Sequence, residues 1–309
     1  MFLMLLIVGP VMTLSSSNWV VSWAGMELGF VGLIPMLFLG VSSVSKEVGM
    51  KYFCIQALAS ALLFVSGSMI FALFQKSLLW VMGLIFSLCL KLGLFPGHFW
   101  VPGVVSGLDW FSCVLILGPL KIGPFAFLSN VMTWMPSYQS VMLILGGVSS
   151  VVGALLGNNQ TSVRAMLGSS SIAHSGWIAL GTVLGGLWVY FLFYYLVLVL
   201  ALFLLWEMDY SSVCIALLSM SGLPPFIMFV AKLKMVMMIM SLSSWFLFIM
   251  LPLAGSVLSL IFYLKFCYSF YLNSKSWPGV GVSIVLMVLN CVGVFWAVLF
   301  LFFDGRASP

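Results

Sequence analysis

Long apolar runs, separated by short polar stretches, dominate the pattern of this chain. Runs such as residues 189–205 are apolar on every side and do not alternate between apolar and polar positions. A segment that crosses a bilayer must satisfy its own backbone hydrogen bonds, so it is either a helix or a strand of a closed barrel. Barrel strands alternate. The pattern therefore predicts an all-α, polytopic integral membrane protein.

Polar punctuation divides the chain into eleven predicted helices with no linker, which favours a single transmembrane domain over residues 1–309. The first helix would be about 20 Å long, short of the ~30 Å hydrocarbon core, so we expect 10–11 membrane-spanning helices. Two of the helices should be broken, near Pro96-Gly97 and within 222–225, because Pro removes a backbone donor. The predicted helices cover residues 1–13, 19–41, 48–74, 78–95, 110–132, 139–156, 165–184, 187–206, 213–240, 245–271 and 279–303.

Composition strengthens this interpretation. Hydrophobic residues make up 64% of the chain and charged residues only 6%, whereas soluble domains carry about 25% charged residues. The six cysteines show no CxxC spacing, which favours inert thiols over a disulfide framework or a metal site. The chain also lacks the glycine-rich phosphate-binding motifs, so we expect it to bind no nucleotide, flavin or haem.

Orientation can be predicted from the Lys and Arg residues in the loops between the predicted helices. The N-terminal stretch lacks the basic region of a signal peptide. If all eleven helices cross, five basic residues lie on the side of the N-terminus and two on the other side, which predicts a cytoplasm-equivalent N-terminus. The first group is Lys46, Lys51, Arg164, Lys265 and Lys275, and the second is Lys76 and Arg306.

Four ionisable residues lie well inside predicted spans, and we refer to them as the charge series: Glu27, Lys91, Lys121 and Lys232. Each charge at the bilayer centre costs about 2.5–3.5 kcal/mol on insertion scales. One glutamate cannot neutralise three lysines, so at least two lysines must be hydrated, paired across a subunit boundary, or neutral. A desolvated lysine can release and regain a proton near neutral pH. This imbalance favours a proton relay over purely structural pairing.

The predicted breaks lie close to two of these lysines. Lys91 precedes Pro96 by five residues, and Lys232 follows Pro225 by seven. Unwound backbone at membrane depth persists where it faces protein or water, so water could enter at both points; the alternative is that the prolines only kink their helices. The two histidines, His98 and His174, are further candidates for proton exchange because imidazole titrates near neutral pH. Either could instead be a hydrogen-bonded packing residue.

Several motifs occur in a specific order between residues 14 and 232. They are Leu14-Ser15-Ser16-Ser17-Asn18-Trp19, Trp23-Ala24-Gly25-Met26-Glu27, Lys46-Glu47, Lys51-Tyr52-Phe53, Gln56-Ala57, Lys91-Leu92-Gly93, Pro96, His98-Phe99-Trp100-Val101-Pro102, Lys121-Ile122, Asn159-Gln160-Thr161, Arg164, Ser170-Ser171-Ile172-Ala173-His174, Gly176-Trp177, Gly222-Leu223-Pro224-Pro225 and Lys232. In this order they resemble the family of mitochondrial NADH dehydrogenase subunit 2, the antiporter-like membrane subunits of respiratory complex I; the last 70 or so residues match only in hydropathy.

The resemblance implies that the charge series belongs to a proton path, with quinone reduction elsewhere in the complex as its driving force. It implies other complex I membrane-arm subunits and the lipid bilayer as partners, no nucleic acid, and the mitochondrial inner membrane with the N-terminus in the matrix. NADH, FMN, iron–sulfur clusters and ubiquinone would be bound by partner subunits, and this chain would hold no cofactor and no metal. The chain departs from the family pattern at Gly97, Pro119-Leu120, Ser169 and Met228.

Two other functions remain open at the level of the sequence. A stand-alone cation/proton antiporter would share the fold and the buried lysines without a redox partner. A structural scaffold would use the buried charges only to pair helices.

Overall fold

The computed structural model describes residues 1–38, 43–74, 77–207, 209–224, 226–241 and 247–273, together with seven residues between 287 and 295. Thirteen α-helices occur in this part of the chain, and no strand is found in it. The helices are α1 (Phe2–Ser15), α2 (Trp19–Phe38), α3 (Ser43–Gly67), α4 (Leu78–Leu92), α5 (Trp100–Ser106), α6 (Trp110–Leu117), α7 (Pro119–Trp134), α8 (Gln139–Asn158), α9 (Val163–Leu184), α10 (Leu187–Glu207), α11 (Tyr210–Ser221), α12 (Ile227–Met240) and α13 (Met250–Asn273).

The predicted all-α membrane fold is confirmed. Six helical stretches of the described residues are long and apolar enough to cross a membrane, and α1, α4 and α11 are shorter apolar helices. With 14 residues, α1 is about 21 Å long, and it packs against α2 and α7. The predicted eleventh helix, 279–303, lies almost wholly outside the described residues.

Both predicted helix breaks are confirmed. Helix α4 ends at Leu92, and the chain stays irregular until α5 begins at Trp100. Helix α11 ends at Ser221, and α12 begins at Ile227. Gly222, between them, has a φ of +75°, a left-handed conformation that glycine adopts without steric cost. The stretch up to Asp109, expected to be irregular, contains a short helix, α5, which packs against α9.

A third break, after Leu117, was not predicted, and the continuous helix expected over 110–132 was wrong. Gly118 separates α6 from α7 with φ −115° and ψ −93°. Pro119 has no N–H with which to continue α6, but its fixed φ suits the first position of a new helix. The break therefore places Lys121 in the first turn of α7, where its backbone N–H donates to the Gly118 carbonyl at 2.9 Å.

Gly118 is also required by its surroundings, which yields a first prediction. A Cβ atom at Gly118 would collide with the Tyr195 ring, so we expect Gly118→Ala to lower stability by about 1–3 kcal/mol, as overpacking does. Gly103 is a matched control because no atom lies within 4 Å of its added Cβ. Thermal unfolding of the purified protein compares the two variants, and equal midpoints would show that the Gly118–Tyr195 contact is unimportant.

Helix α9 forms the centre of the bundle. It contacts α5, α7, α8, α10, α12 and α13, and every residue from 165 to 182 is buried. Its polar residues therefore face other helices of the bundle.

Candidate functional site

A buried ion pair joins α2 to α4. Lys91 Nζ lies 2.6 Å from Glu27 Oε1, and the Lys91 side chain is only 4% exposed against 22% for Glu27. The other ion pair of the described residues, between Lys51 and Glu47, is exposed on α3. Glu27 thus balances one of the three buried lysines.

At the break after α4, side chains of neighbouring helices hydrogen-bond to backbone carbonyls near Lys91. Lys91 lies in the last turn of α4, where the negative end of the helix dipole stabilises a cation. Gln56 Nε2 donates to the Lys91 carbonyl at 3.4 Å, and Trp100 Nε1 on α5 donates to the Leu90 carbonyl at 3.0 Å. Carbonyls freed by the break are therefore satisfied by side chains from neighbouring helices.

A small cavity connects Lys91 to Lys121. Its volume is about 30 Å³, and a water molecule needs about 10–15 Å³ of such volume and two to four polar partners. Room for one or two waters therefore exists between the two lysines. The lining residues are Met26, Phe30, Tyr52, Gln56, Lys91, Trp100, Ile116, Leu120, Lys121 and Pro124.

Lys121 is buried without a carboxylate among the described residues in ion-pair contact. Its Nζ donates to Ser175 Oγ of α9 at 2.8 Å. Its position in the first turn of α7 exposes it to the positive end of the helix dipole, which disfavours a cation. Lys91 and Lys121 therefore lie at opposite helix ends, and the dipoles act on their charges in opposite directions.

His174 precedes Ser175 on α9 and is held by two tyrosines. Its Nδ1 lies 3.0 Å from Tyr190 Oη, and its Nε2 lies 3.3 Å from Tyr263 Oη. The charges of Lys121 and Lys232 both act on the imidazole. His174 therefore lies near two members of the charge series.

Lys232 reaches back across the second break. Its Nζ donates to the carbonyl of Ser221, the last residue of α11, at 2.7 Å, so it lies at the negative end of that helix dipole. A Cβ at Gly222 would lie 2.9 Å from Nζ, so the glycine leaves room for the ammonium group. The Trp177 ring of α9 lies 6.0 Å from Nζ, within the range of a cation–π contact.

The structure separates the two histidines. His98 is buried beside Phe95 and Phe99, and its Nδ1 has no hydrogen-bond partner within the described residues. No hydrogen bond or ion pair found in this part of the chain links it to Glu27 or to the lysines. His174 therefore lies close to the charge series, and His98 stands apart from it.

Sequence reasoning missed the neutral partners of the site. Ser175 follows the run of residues that drew attention to His174, so its position gave a weak signal. Tyr190 and Tyr263 lie in apolar helices where an aromatic residue is commonplace. Gln56 and Tyr52 line the cavity, and their spacing indicates nothing about it.

Removing the Tyr263 hydroxyl, which contacts His174, provides a second prediction. Tyr263→Phe leaves His174 Nε2 without its partner, and an unsatisfied buried polar atom costs about 1–3 kcal/mol. Tyr268→Phe is the control, since Tyr268 is 66% exposed on the same helix. A lower thermal midpoint of the protein should appear only in the Tyr263 variant, and identical midpoints would contradict this reading of the His174 contacts.

Comparison with known proteins places the chain in a class. A family model described as NADH:quinone oxidoreductase/Mrp antiporter, TM, matches residues 16–213. The NADH-ubiquinone oxidoreductase chain 2 of Albinaria caerulea is 34% identical over 272 residues, which cover 88% of this chain and 89% of the relative. The chain belongs to the family of NADH-ubiquinone oxidoreductase chain 2, and the resemblance drawn from the motifs is confirmed.

Solved structures share the fold. A chain of respiratory complex I from Thermus thermophilus matches with a TM-score of 0.74 at 23% identity, over 94% of this chain and 75% of that chain. A chain of the Mrp complex from Dietzia sp. DQ12-45-1b matches with a TM-score of 0.77 at 16% identity, over 86% of this chain and 59% of that chain. At these identities the likeness concerns the fold alone.

Proposed function

We propose that this chain is a proton-translocating membrane subunit of respiratory complex I and that the charge series is its proton relay. The observation that carries this proposal is the imbalance of one buried carboxylate against three buried lysines, with a cavity joining two of them. Simple pairing accounts for Lys91 alone. Lys121 donates to a hydroxyl and Lys232 donates to a carbonyl, and these neutral acceptors do not neutralise the charge of either lysine.

The geometry supports an order of proton transfer. Opening the Glu27–Lys91 pair withdraws a stabilisation of about 4 kcal/mol, for unit charges ~4 Å apart at an effective dielectric of ~20. A loss of that size is enough to release a proton from Lys91. Water in the cavity would carry that proton to a neutral Lys121, and Lys121 would later release it because the α7 dipole opposes its charge.

From Lys121 the path continues along α9. Ser175 accepts from Lys121, and the neighbouring His174 lies within electrostatic range of Lys232. Neutral His174 can take a proton on one ring nitrogen as the other gives one up, provided that the tyrosines reorient their hydroxyls. Lys232 is then the terminal group of the relay in this chain, and His98 lies off this path.

The wider setting follows from the family. The chain works in the mitochondrial inner membrane beside other membrane-arm subunits of complex I, with its N-terminus on the matrix side. NADH, FMN, iron–sulfur clusters and ubiquinone belong to partner subunits, and this chain contributes no redox step. The driving signal therefore enters as a change in charge or hydration at the relay.

Each of the two alternative functions is supported by one specific observation. The matching family model also covers Mrp antiporters, which favours stand-alone cation/proton exchange. The Glu27–Lys91 pair joins two helices, which favours a scaffold.

The three functions can be separated by reconstituting into liposomes a homologous, genetically tractable complex that carries the same four charged residues. The relay predicts that NADH oxidation acidifies the liposome lumen and that neutral substitutions at all four positions of the charge series remove the contribution of this subunit. Sodium-for-proton exchange by the isolated chain, with no dependence on NADH, would support the antiporter. An unchanged proton-to-electron ratio in the fourfold variant would support the scaffold and refute the relay.

A further inference from the structure

Two cysteines far apart in the sequence contact each other near one end of the bundle. Cys214 lies in the second turn of α11, and Cys267 lies near the C-terminal end of α13. Cys214 Sγ lies 3.4 Å from the Cys267 carbonyl oxygen, and Cys267 Sγ lies 3.4 Å from the Cys214 carbonyl oxygen. This reciprocal contact brings both side chains into the space between the same two helices.

We propose that Cys214 and Cys267 form a redox-active dithiol that a peroxide converts into a disulfide between α11 and α13. A disulfide needs two cysteines whose Cβ atoms face each other across a short gap, and the reciprocal thiol–carbonyl contacts indicate that arrangement. This proposal replaces the expectation, drawn from the scattered sequence positions, that all six cysteines are inert.

The solvent exposure of the two thiols indicates which one the peroxide oxidises first. Cys267 is only 8% exposed, whereas Cys214 is partly exposed and free, so a small neutral oxidant reaches Cys214 first. The Cys214 sulfur attacks one oxygen of hydrogen peroxide, the O–O bond breaks, and a sulfenic acid and one water form. The Cys267 sulfur then attacks the Cys214 sulfur, the S–O bond breaks, the S–S bond forms, and a second water leaves. Two thiols lose two electrons and two protons, and one peroxide is reduced to two waters.

The disulfide would fix two helices that carry groups of the candidate site. Helix α11 ends at Ser221, whose carbonyl accepts from Lys232, and α13 carries Tyr263, which contacts His174. Tyr263 precedes Cys267 by one helical turn. A covalent link at this end of the bundle would therefore restrain both contacts, although the proposed dithiol does not depend on the relay.

Mass spectrometry of the assembled complex tests the dithiol directly. Membranes holding the complex are treated with hydrogen peroxide, blocked with N-ethylmaleimide and digested. We expect a peptide pair linked through Cys214 and Cys267, absent before oxidation and lost again after dithiothreitol. If peroxide leaves both cysteines open to the maleimide, or gives only separate oxygen adducts on them, the proposal is wrong.

Matched variants establish that the link is specific. Cys214→Ser should abolish the linked peptide, while Cys113→Ser should retain it, because Cys113 is a buried thiol whose hydrogen bond among the described residues goes to the Val105 carbonyl and not to another cysteine. A new linkage of Cys267 to another cysteine in the Cys214 variant would overturn the assignment. Should that variant fail to assemble, the wild-type comparison with and without peroxide still decides the question.

Discussion

Replacing Lys121 by methionine should abolish proton translocation through this subunit while the complex still assembles. Methionine has a similar length and fills the same apolar space. The change removes one hydrogen bond and leaves the buried Ser175 Oγ without this partner, which costs about 1–3 kcal/mol in stability. It also removes the titratable group that lines the cavity and contacts Ser175, the residue after His174. We expect the contribution of this subunit to NADH-driven acidification to fall at least roughly tenfold, since loss of a positioned proton donor commonly costs more than that.

Substitution of a second lysine, Lys234, controls for the mere loss of a positive charge. Lys234 lies on α12, two residues after Lys232, but it is not buried as Lys232 is. Lys234→Met should leave acidification close to the wild-type rate. Normal acidification in the Lys121 variant, in complexes that assemble normally, would remove Lys121 from the relay, and equal losses in both variants would indicate a general effect of charge.

Breaking the Glu27–Lys91 pair should destabilise the complex more than removing both of its charges. Glu27→Gln leaves Lys91 Nζ buried without a counter-ion, and loss of one partner of a buried pair typically costs about 3–5 kcal/mol. The double variant Glu27→Gln/Lys91→Met leaves no unpaired charge, and replacing a buried pair by apolar groups is often nearly neutral. We therefore expect the thermal midpoint of the double variant to lie well above that of Glu27→Gln.

An exposed pair provides the control for this cycle. Glu47 and Lys51 are 2.7 Å apart, with their side chains 66% and 61% exposed, and exposed pairs contribute little to stability. Glu47→Gln should leave the thermal midpoint nearly unchanged. Additive effects of the Glu27 and Lys91 substitutions would mean that the two groups do not stabilise each other, contrary to the 2.6 Å contact.

The sequence was informative where a single residue is costly in its surroundings. A charge inside an apolar run carries its cost whatever the fold, so the charge series could be recognised without a structure. Two breaks could be predicted because Pro and Gly interrupt a helix locally. The third break could not, since Pro119 within an apolar run is equally compatible with a kink. Its cause includes the Tyr195 ring beside Gly118, which is 77 positions further along the chain.

Partners from distant helices could not be predicted. Lys121 meets Ser175, and His174 meets Tyr263, over separations of 54 and 89 residues. The sequence of a helix that contains several serines or tyrosines does not indicate which of them face a neighbouring helix, because the packing of whole helices decides which residues face a neighbour. For the same reason the sequence separated His98 from His174 no better than chance, and it left Cys214 and Cys267 as unrelated thiols.

Ordered water between Lys91 and Lys121 tests the relay most directly. A density map of the assembled complex, at a resolution that shows individual waters, would reveal what occupies the cavity of about 30 Å³. The relay predicts one or two waters hydrogen-bonded to the Lys91 or Lys121 ammonium group and to Gln56 or Tyr52. A cavity that is closed by apolar side chains or filled by a lipid chain, with no water between the two lysines, would contradict it.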